Sequence, residues 1–553
     1  MNSSAKRPFA IALGALILWS GCGGNADLDQ ASQAITAAGL SSNIEILSSD
    51  EFEGRAPATP GGRMTTDFLS QEFAALGLKP GNGDSYLQEV PLVQIAARHA
   101  SPLSFSAGGG TVQGELGTNY IAESEHLIKE IGLDASQVVF VGYGIVAPEF
   151  GWDDYAGIDV RGKTVLTLVN DPGYATQDEN LFTGNAMTYY GRWTYKFEEA
   201  QRQGAAGVLV IHETGPAGYP WMVIGGGATR PNSVLANEGE AHSRPPIQGW
   251  INDDLARELF AAAGTDFDTL KASALDDSFQ AVELAATVSL ALVNSFNYSA
   301  SNNVLALIPG AMRPDEIVIY MAHWDHLGMD MSLESDPIFN GAMDNASGTA
   351  ALLELAKGFM ALEVKPERSV LFLAVTAEEQ GLLGSLYYGT HPVYPLNKTV
   401  GAINIDGLNL YGKMNDIIVV GHGSSQLDDY AAAAAADQGR VIVPDPLPEK
   451  GYFFRSDHFS LAKQGVPALY FDNGVDHVEH GREWTLAQMD GYTADRYHQV
   501  TDEFNPDWDL SGAVDDIRLF FAMGHRLANE STFPNWHEGN AFKAARDAMM
   551  SGE

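Results

Sequence analysis

The run Ile317-Val318-Ile319-Tyr320-Met321-Ala322 leads directly into His323-Trp324-Asp325-His326. An uninterrupted apolar run of this length, with no polar alternation, reads as a strand buried on both faces, as in a parallel sheet. A helix follows at about 347–362, because Leu352, Leu355, Ala356 and Phe359 form one stripe. The pattern then repeats downstream: strand 369–376, helix near 381–388, strand 400–405, strand 417–420, helix near 426–438 and strand 466–471. Strands alternating with helices imply an α/β fold, a mostly parallel sheet with helices on both faces.

Upstream the texture differs. Phe68, Leu69, Phe73 and Leu76 predict an amphipathic helix over 64–76, and residues 86–120 read as short strands and turns. From about 136 to near Ala300 a separate block appears. Val138-Val139-Phe140-Val141, Thr164–Val169 and Gly207–Ile211 are strand runs, with a helix at Glu198–Gln203 and Gly/Pro-rich loops between them. The block contains His212 and His242 but no cluster of metal-ligating residues.

The chain has 553 residues, 45% hydrophobic and 19% charged, a globular composition with room for several domains. Its balance of 32 basic to 71 acidic residues, net −39, carries no Lys/Arg cluster, which excludes a nucleic-acid binder. Lys6 and Arg7 precede the apolar run Phe9–Trp19, too short to span a bilayer and shaped like a secretory signal peptide. Leu18-Trp19-Ser20-Gly21-Cys22 resembles a lipobox, with Trp19 where a smaller aliphatic residue is usual. The expectation is an exported bacterial lipoprotein, periplasmic or in the outer membrane, tethered only through a lipid on Cys22. With a single cysteine, no disulfide forms within the chain.

In open α/β sheets, sites form beyond the carboxyl ends of the strands. His323 and Asp325, Asp344, Glu378-Glu379, Asp406 and, in a later loop, His498 all fall at such positions. Two imidazoles and three carboxylates suit Zn²⁺. One carboxylate can bridge two metal ions, and a further unbound acid can act as general base. In His323-x-Asp325 the period of two places both side chains on one side of an extended segment, so Asp325 can accept the second imidazole N–H.

Several stretches resemble the M28 family of zinc aminopeptidases and carboxypeptidases. They are His323–Gly328, Asn340–Gly348, Thr376–Ser385, Asn404-Ile405-Asp406-Gly407 and Tyr497-His498. Leu47–Arg55 and Pro60-Gly61-Gly62 are similar to the amino-terminal signature of its secreted bacterial members, and the block from 136 resembles a protease-associated domain. The resemblance implies a zinc exopeptidase fold with a β-rich insert. The divisions are 1–22 for the signal peptide, 23–135 for the first part of the peptidase domain, 136–295 for the insert and 296–553 for the main peptidase domain.

It further implies two Zn²⁺ per chain, with His323 and Asp406 on one, Glu379 and His498 on the other, and Asp344 bridging. Glu378 would be the general base and then the acid for the leaving amine, and Tyr497 would steady the oxyanion. Arg455-Ser456-Asp457-His458 resembles a family loop near the substrate, although a helix cap explains it equally well.

The expected activity is removal of amino-terminal residues from peptides. A carboxypeptidase would need a cationic clamp for the substrate carboxylate, which Arg455 or another basic residue could supply. A glutaminyl cyclase shares the fold but works with one zinc, and a receptor-like binding protein would have lost ligands. The insert is expected to roof the site, with Tyr189–Trp193 and Tyr219-Pro220-Trp221 as covering surface. The sequence carries no signal for oligomeric state.

Overall fold

The computed structural model describes residues 23–236 and 243–552, so Cys22 and His242 lie outside the described residues. One mixed sheet runs through two hydrophobic cores. Its first part is ordered Val441–Pro444, Asp416–Val420, Ala468–Asp472, Thr399–Ile405, Arg313–His323, Arg368–Val375 and the end of Val282–Ile308. The central neighbours Ala468–Asp472, Thr399–Ile405, Arg313–His323 and Arg368–Val375 pair in parallel. Asp416–Val420 and Val282–Ile308 join them antiparallel.

The continuous apolar run at 317–322 has the cause expected of it. Val318, Tyr320 and Ala322 pack against Leu352, Leu355, Phe359 and Phe521, from helices Gly348–Met360 and Ser511–Asn529. Ile317, Ile319 and Met321 pack on the opposite face against Tyr388 and Leu461, from helices Leu383–Thr390 and His458–Lys463. With both faces covered, alternation has no physical basis. Helix Pro60–Ala75 starts earlier than its apolar stripe, because Thr59 caps it by accepting from the Gly62 N–H and Pro60 fits its first turn.

The second part of the sheet carries Glu130–Phe140, Thr164–Leu168, Gly207–His212 and Ile247–Asn252 in parallel, closed by Tyr120–Glu123 antiparallel. Two expectations need correction here. Residues 86–120 are not a series of short strands, since Leu87–Ala107 is one strand of 21 residues. The block from 136 also has no break in the chain's regular structure near Ala300, because Val282–Ile308 is one strand of 27 residues paired along most of Leu87–Ala107. Each of the two strands enters both cores. Leu103, Phe105 and Tyr120 pack with Phe140, Leu166 and Leu209, so the second core recruits residues from well before 136.

No helix among the described residues is long and apolar enough to cross a membrane.

Candidate functional site

The carboxyl ends of the parallel strands converge on one acidic cluster. His323 ends its strand, and the Trp324 N–H continues the pairing to the Val375 carbonyl. Glu378 and Glu379 follow Arg368–Val375 after a turn in which Ala377 has φ 55°, a left-handed conformation uncommon for a residue with a side chain. Asp406 follows Thr399–Ile405. Asp344 sits in the turn before helix Gly348–Met360, and His498, with φ 58°, in the turn after helix Gly481–Asp495.

The side chains meet at two points. His323 Nε2 lies 3.1 Å from Asp406 Oδ1 and 3.3 Å from Asp344 Oδ1. His498 Nε2 lies 3.2 Å from Asp344 Oδ2 and 3.0 Å from Glu379 Oε2. Asp344 thus offers one oxygen to each imidazole. His326, not singled out from the sequence, places Nδ1 2.7 Å from Glu379 Oε1. The donor atoms of His323, Asp344 and Asp406 lie within 4.8 Å of one another, as do those of His326, Asp344 and Glu379 and those of His323, Glu378 and Glu379. Such mixed nitrogen and oxygen sets fit Zn²⁺.

Asp325 departs from its expected contact. His323 Nδ1 is 3.2 Å from the Asp325 backbone carbonyl and 3.9 Å from its carboxylate. That carboxylate instead accepts the Glu378 N–H at 3.1 Å, while its second oxygen is buried without a partner. Asp325 therefore positions the turn that carries the two glutamates. The Tyr497 ring stacks on His498 at 3.9 Å and stays 46% exposed, at the mouth of the cluster.

Other residues fix the loops, and bonds of side chain to backbone leave no spacing to read. Asp502 accepts the N–H groups of Met343 and Asp344. Asn345 ties the two aspartate loops together, donating to the Ile405 carbonyl and accepting from the Gly407 N–H. Ser456 donates to Asp406 Oδ2 at 2.6 Å. It is thus a partner of the cluster and not a helix cap, and helix His458–Lys463 has no side-chain cap. Arg55, 1% exposed, donates to the carbonyls of Leu47, Trp324, Asn340 and Gly341. Burial lowers its pKa to about 10, against the pull of Asp502 and Asp344, so it remains a cation at neutral pH.

The electrostatics of the cluster call for positive charge. Burial and the charges of Asp406, Glu379 and Asp457 push Glu378 well above the ordinary carboxylate range, despite His323. Burial opposes ionisation of Asp344 too, yet hydrogen bonds to His323 and His498 hold it well below that range. His498 is raised to about 10 by Asp344 and Glu379, against burial. Cations at the two focal points would balance these carboxylates.

The cluster opens into a cavity of about 980 Å³. Glu378, Glu379, Tyr497 and His498 line one wall, and Tyr189, Arg192 and Trp193 line the other, from the second core. Trp221 turns away from it and donates to the Gly117 carbonyl within the second core. Met187 donates its N–H to the Pro448 carbonyl, and Lys463 pairs with Glu198 at 3.3 Å, joining the walls.

Residues 303–522 match the profile of peptidase family M28. The aminopeptidase NAALADL1 of Mus musculus is 36% identical over 124 residues, which are 22% of this chain and 15% of that protein. Aminopeptidase YwaD of Bacillus subtilis (strain 168) is 34% identical over 100 residues, 18% of this chain and 20% of that protein. The chain therefore spans a fifth or less of the length of these relatives. Among solved structures, the aminopeptidase from Aneurinibacillus sp. strain AM-1 aligns over 92% of this chain and 97% of its own, at 18% identity and a TM-score of 0.48. The segment that matches the profile of peptidase family M28 contains His323, Asp344, Glu378, Glu379, Asp406 and Tyr497-His498.

Proposed function

We propose that the chain is a zinc-dependent exopeptidase, an aminopeptidase that removes amino-terminal residues from peptides. His323, Asp344, Asp406, Glu379 and His498 would hold two zinc ions. The observation that carries this reading is the Asp344 carboxylate, which divides its oxygens between two imidazoles with Glu378 in the same cavity wall. Bound zinc supplies Lewis-acid polarisation of the scissile carbonyl and of the attacking water.

Glu378 takes the proton of that water as the carbon–oxygen bond forms. It returns the proton to the leaving nitrogen as the carbon–nitrogen bond breaks. Its raised proton affinity suits the second half of the cycle. Tyr497 donates its hydroxyl hydrogen to the developing oxyanion. Partial burial and the nearby charges of Asp344 and Glu379 keep that hydroxyl protonated. Asp502, Arg55 and Asn345 hold the loops so that these groups keep their spacing. The reading extends to an exported protein anchored by a lipid on Cys22.

The test is zinc content per purified chain together with release from peptides blocked at one end or the other. The expected result is two zinc ions, loss of release on chelation, recovery with zinc, and no cleavage when the amino end is blocked. Cleavage of amino-blocked peptides only would make it a carboxypeptidase. One zinc with cyclisation of amino-terminal glutamine would make it a cyclase.

A further inference from the structure

The parallel strands carry the acidic cluster at their carboxyl ends, and their amino ends form an opposite pole. There the Met312 N–H donates to the Glu367 carbonyl and the Ala311 N–H to that of Pro366. These bonds join the turn before Arg313–His323 to the turn before Arg368–Val375. The last residues of helix Ser511–Asn529 close the same pole, since Arg313 donates to the Asn529 carbonyl and the Glu367 N–H to the Asn529 side chain. Helix Gly348–Met360 spans the distance between the poles. It starts four residues after Asp344 and runs for 13 residues, about 20 Å. The second core lies on the side of the cluster, because Val282–Ile308 runs antiparallel to Arg368–Val375 and passes beyond its carboxyl end.

The amino terminus meets the pole that lacks the site. Helix Gly23–Ser32 begins at the residue after Cys22. Its Asp27 accepts the Glu363 N–H at 3.0 Å. Farther along, the Ser32 and Ile35 carbonyls accept from Arg518, near the middle of helix Ser511–Asn529. The first helix therefore starts at the pole and runs from it toward the middle of the molecule. Gly23 precedes Asp27 by about one turn, or about 6 Å of rise. A lipid on Cys22 would thus join the body at this pole with almost no intervening chain.

The pole also presents apolar side chains to solvent. Met312 and Val364 are each 72% exposed and Met360 38%. Grouped on two bonded turns and a helix end, they form the kind of surface that marks a contact. Exposed Asp315 and Glu363 outnumber Lys365 there. Attraction to anionic lipid therefore does not draw this face down, whereas apolar contact with uncharged lipid does.

We propose that the chain stands on a lipid bilayer with the amino ends of its strands, seating Met312, Met360 and Val364 at the headgroup–acyl boundary. The acidic cluster and the second core are then held on the side away from the bilayer, and peptides reach them from the aqueous phase. The proposal rests on the reading of Cys22 as a lipid anchor and is independent of the peptidase reading.

Cys22 is the only cysteine of the chain, and the lipid occupies its sulfur, so one added cysteine can be labelled alone. Met312→Cys and Val364→Cys place a polarity-sensitive fluorophore at the pole. Met331→Cys is the control, since Met331 is 77% exposed but lies in the loop beyond His326, at the cluster's end of the molecule. The three chains are purified from the membranes of a bacterial host and placed in vesicles of phosphatidylcholine and phosphatidylethanolamine, with and without a lipid carrying a nitroxide at the headgroup. All three positions are exposed, and thermal unfolding checks that each labelled chain is folded.

We expect emission from 312 and 364 to shift to the blue on vesicles and to fall by about twofold or more with the nitroxide lipid, and emission from 331 to do neither. Equal quenching at the three positions, or stronger quenching at 331, overturns the orientation while flotation with the vesicles and the mass of the amino terminus show the anchor in place. Aqueous emission from both 312 and 364 on floated chains overturns it as well. A chain without the lipid mass at its amino terminus overturns the anchor reading and the orientation together.

Discussion

Glu378 and Glu379 are neighbours in sequence but not in contacts. Glu379 reaches His326 and His498, whereas Glu378 gives its backbone N–H to Asp325 and has no side-chain bond to either of those imidazoles among the described residues. Glu378→Gln should keep both zinc ions and the fold while lowering kcat by about 10²–10⁴-fold. Glu379→Ala should lose zinc and activity together. Metal analysis alongside steady-state kinetics checks both, and a Glu378→Gln chain that keeps more than about a tenth of wild-type turnover, a factor worth about 1.4 kcal/mol, contradicts the assigned role. That His323, Asp344, Glu379, Asp406 and His498 come together was legible in the sequence through the strand-end positions of His323, Glu379 and Asp406 and through the family resemblance. Asp502 and Ser456 were not, since each acts through one hydrogen bond to a group distant in the chain. The carboxylate of Asp325 was legible as a neighbour of the cluster, but its partner was misread, because the period of two says which side it faces and not what it bonds.

Among the elements, the central strands were legible because burial on both faces leaves an unbroken apolar run. The long strands were not. Val282–Ile308 alternates where it faces the second core and is fully apolar where it enters the first, but between them residues 296–300 are largely exposed, and the block reads as ending there. Helix Gly481–Asp495 buries only Thr485, so it shows no stripe to find. Helix Trp193–Arg202 carries a different kind of information. It buries Lys196 completely, with Nζ unpaired and 5.8 Å from the Tyr143 ring centroid. Burial lowers the Lys196 pKa to about 7, against Asp171 and Asp154. The unfolded chain therefore binds more protons than the folded one between about pH 7 and the ordinary lysine value, so stability rises with pH there. Asp154 and Asp171, raised by burial to about 7 and about 6, act in the opposite sense at lower pH. Denaturant midpoints should increase from pH 7 to pH 9, with a slope of up to about 1.4 kcal/mol per pH unit from this residue. Lys196→Met should flatten that rise, and an unchanged slope in the variant would show that the amine stays charged.

For the molecule as a whole, the basic start, the apolar run and Cys22 predict membrane partition after export in a bacterial host. Cys22→Ser should release the protein or leave its precursor uncleaved, as fractionation and mass measurement of the amino terminus would show. A wild-type chain recovered fully soluble and cleaved elsewhere would remove the anchor and leave only the signal.

The site lies between two cores that share Leu87–Ala107 and Val282–Ile308, and those strands pass from one core to the other as a paired ribbon, irregular only near Ser289–Leu292. Rotating one core against the other would have to bend that paired ladder, so the ribbon ties the two walls of the cavity together. On the proposed reading, a peptide end would be sized against the space between these two walls.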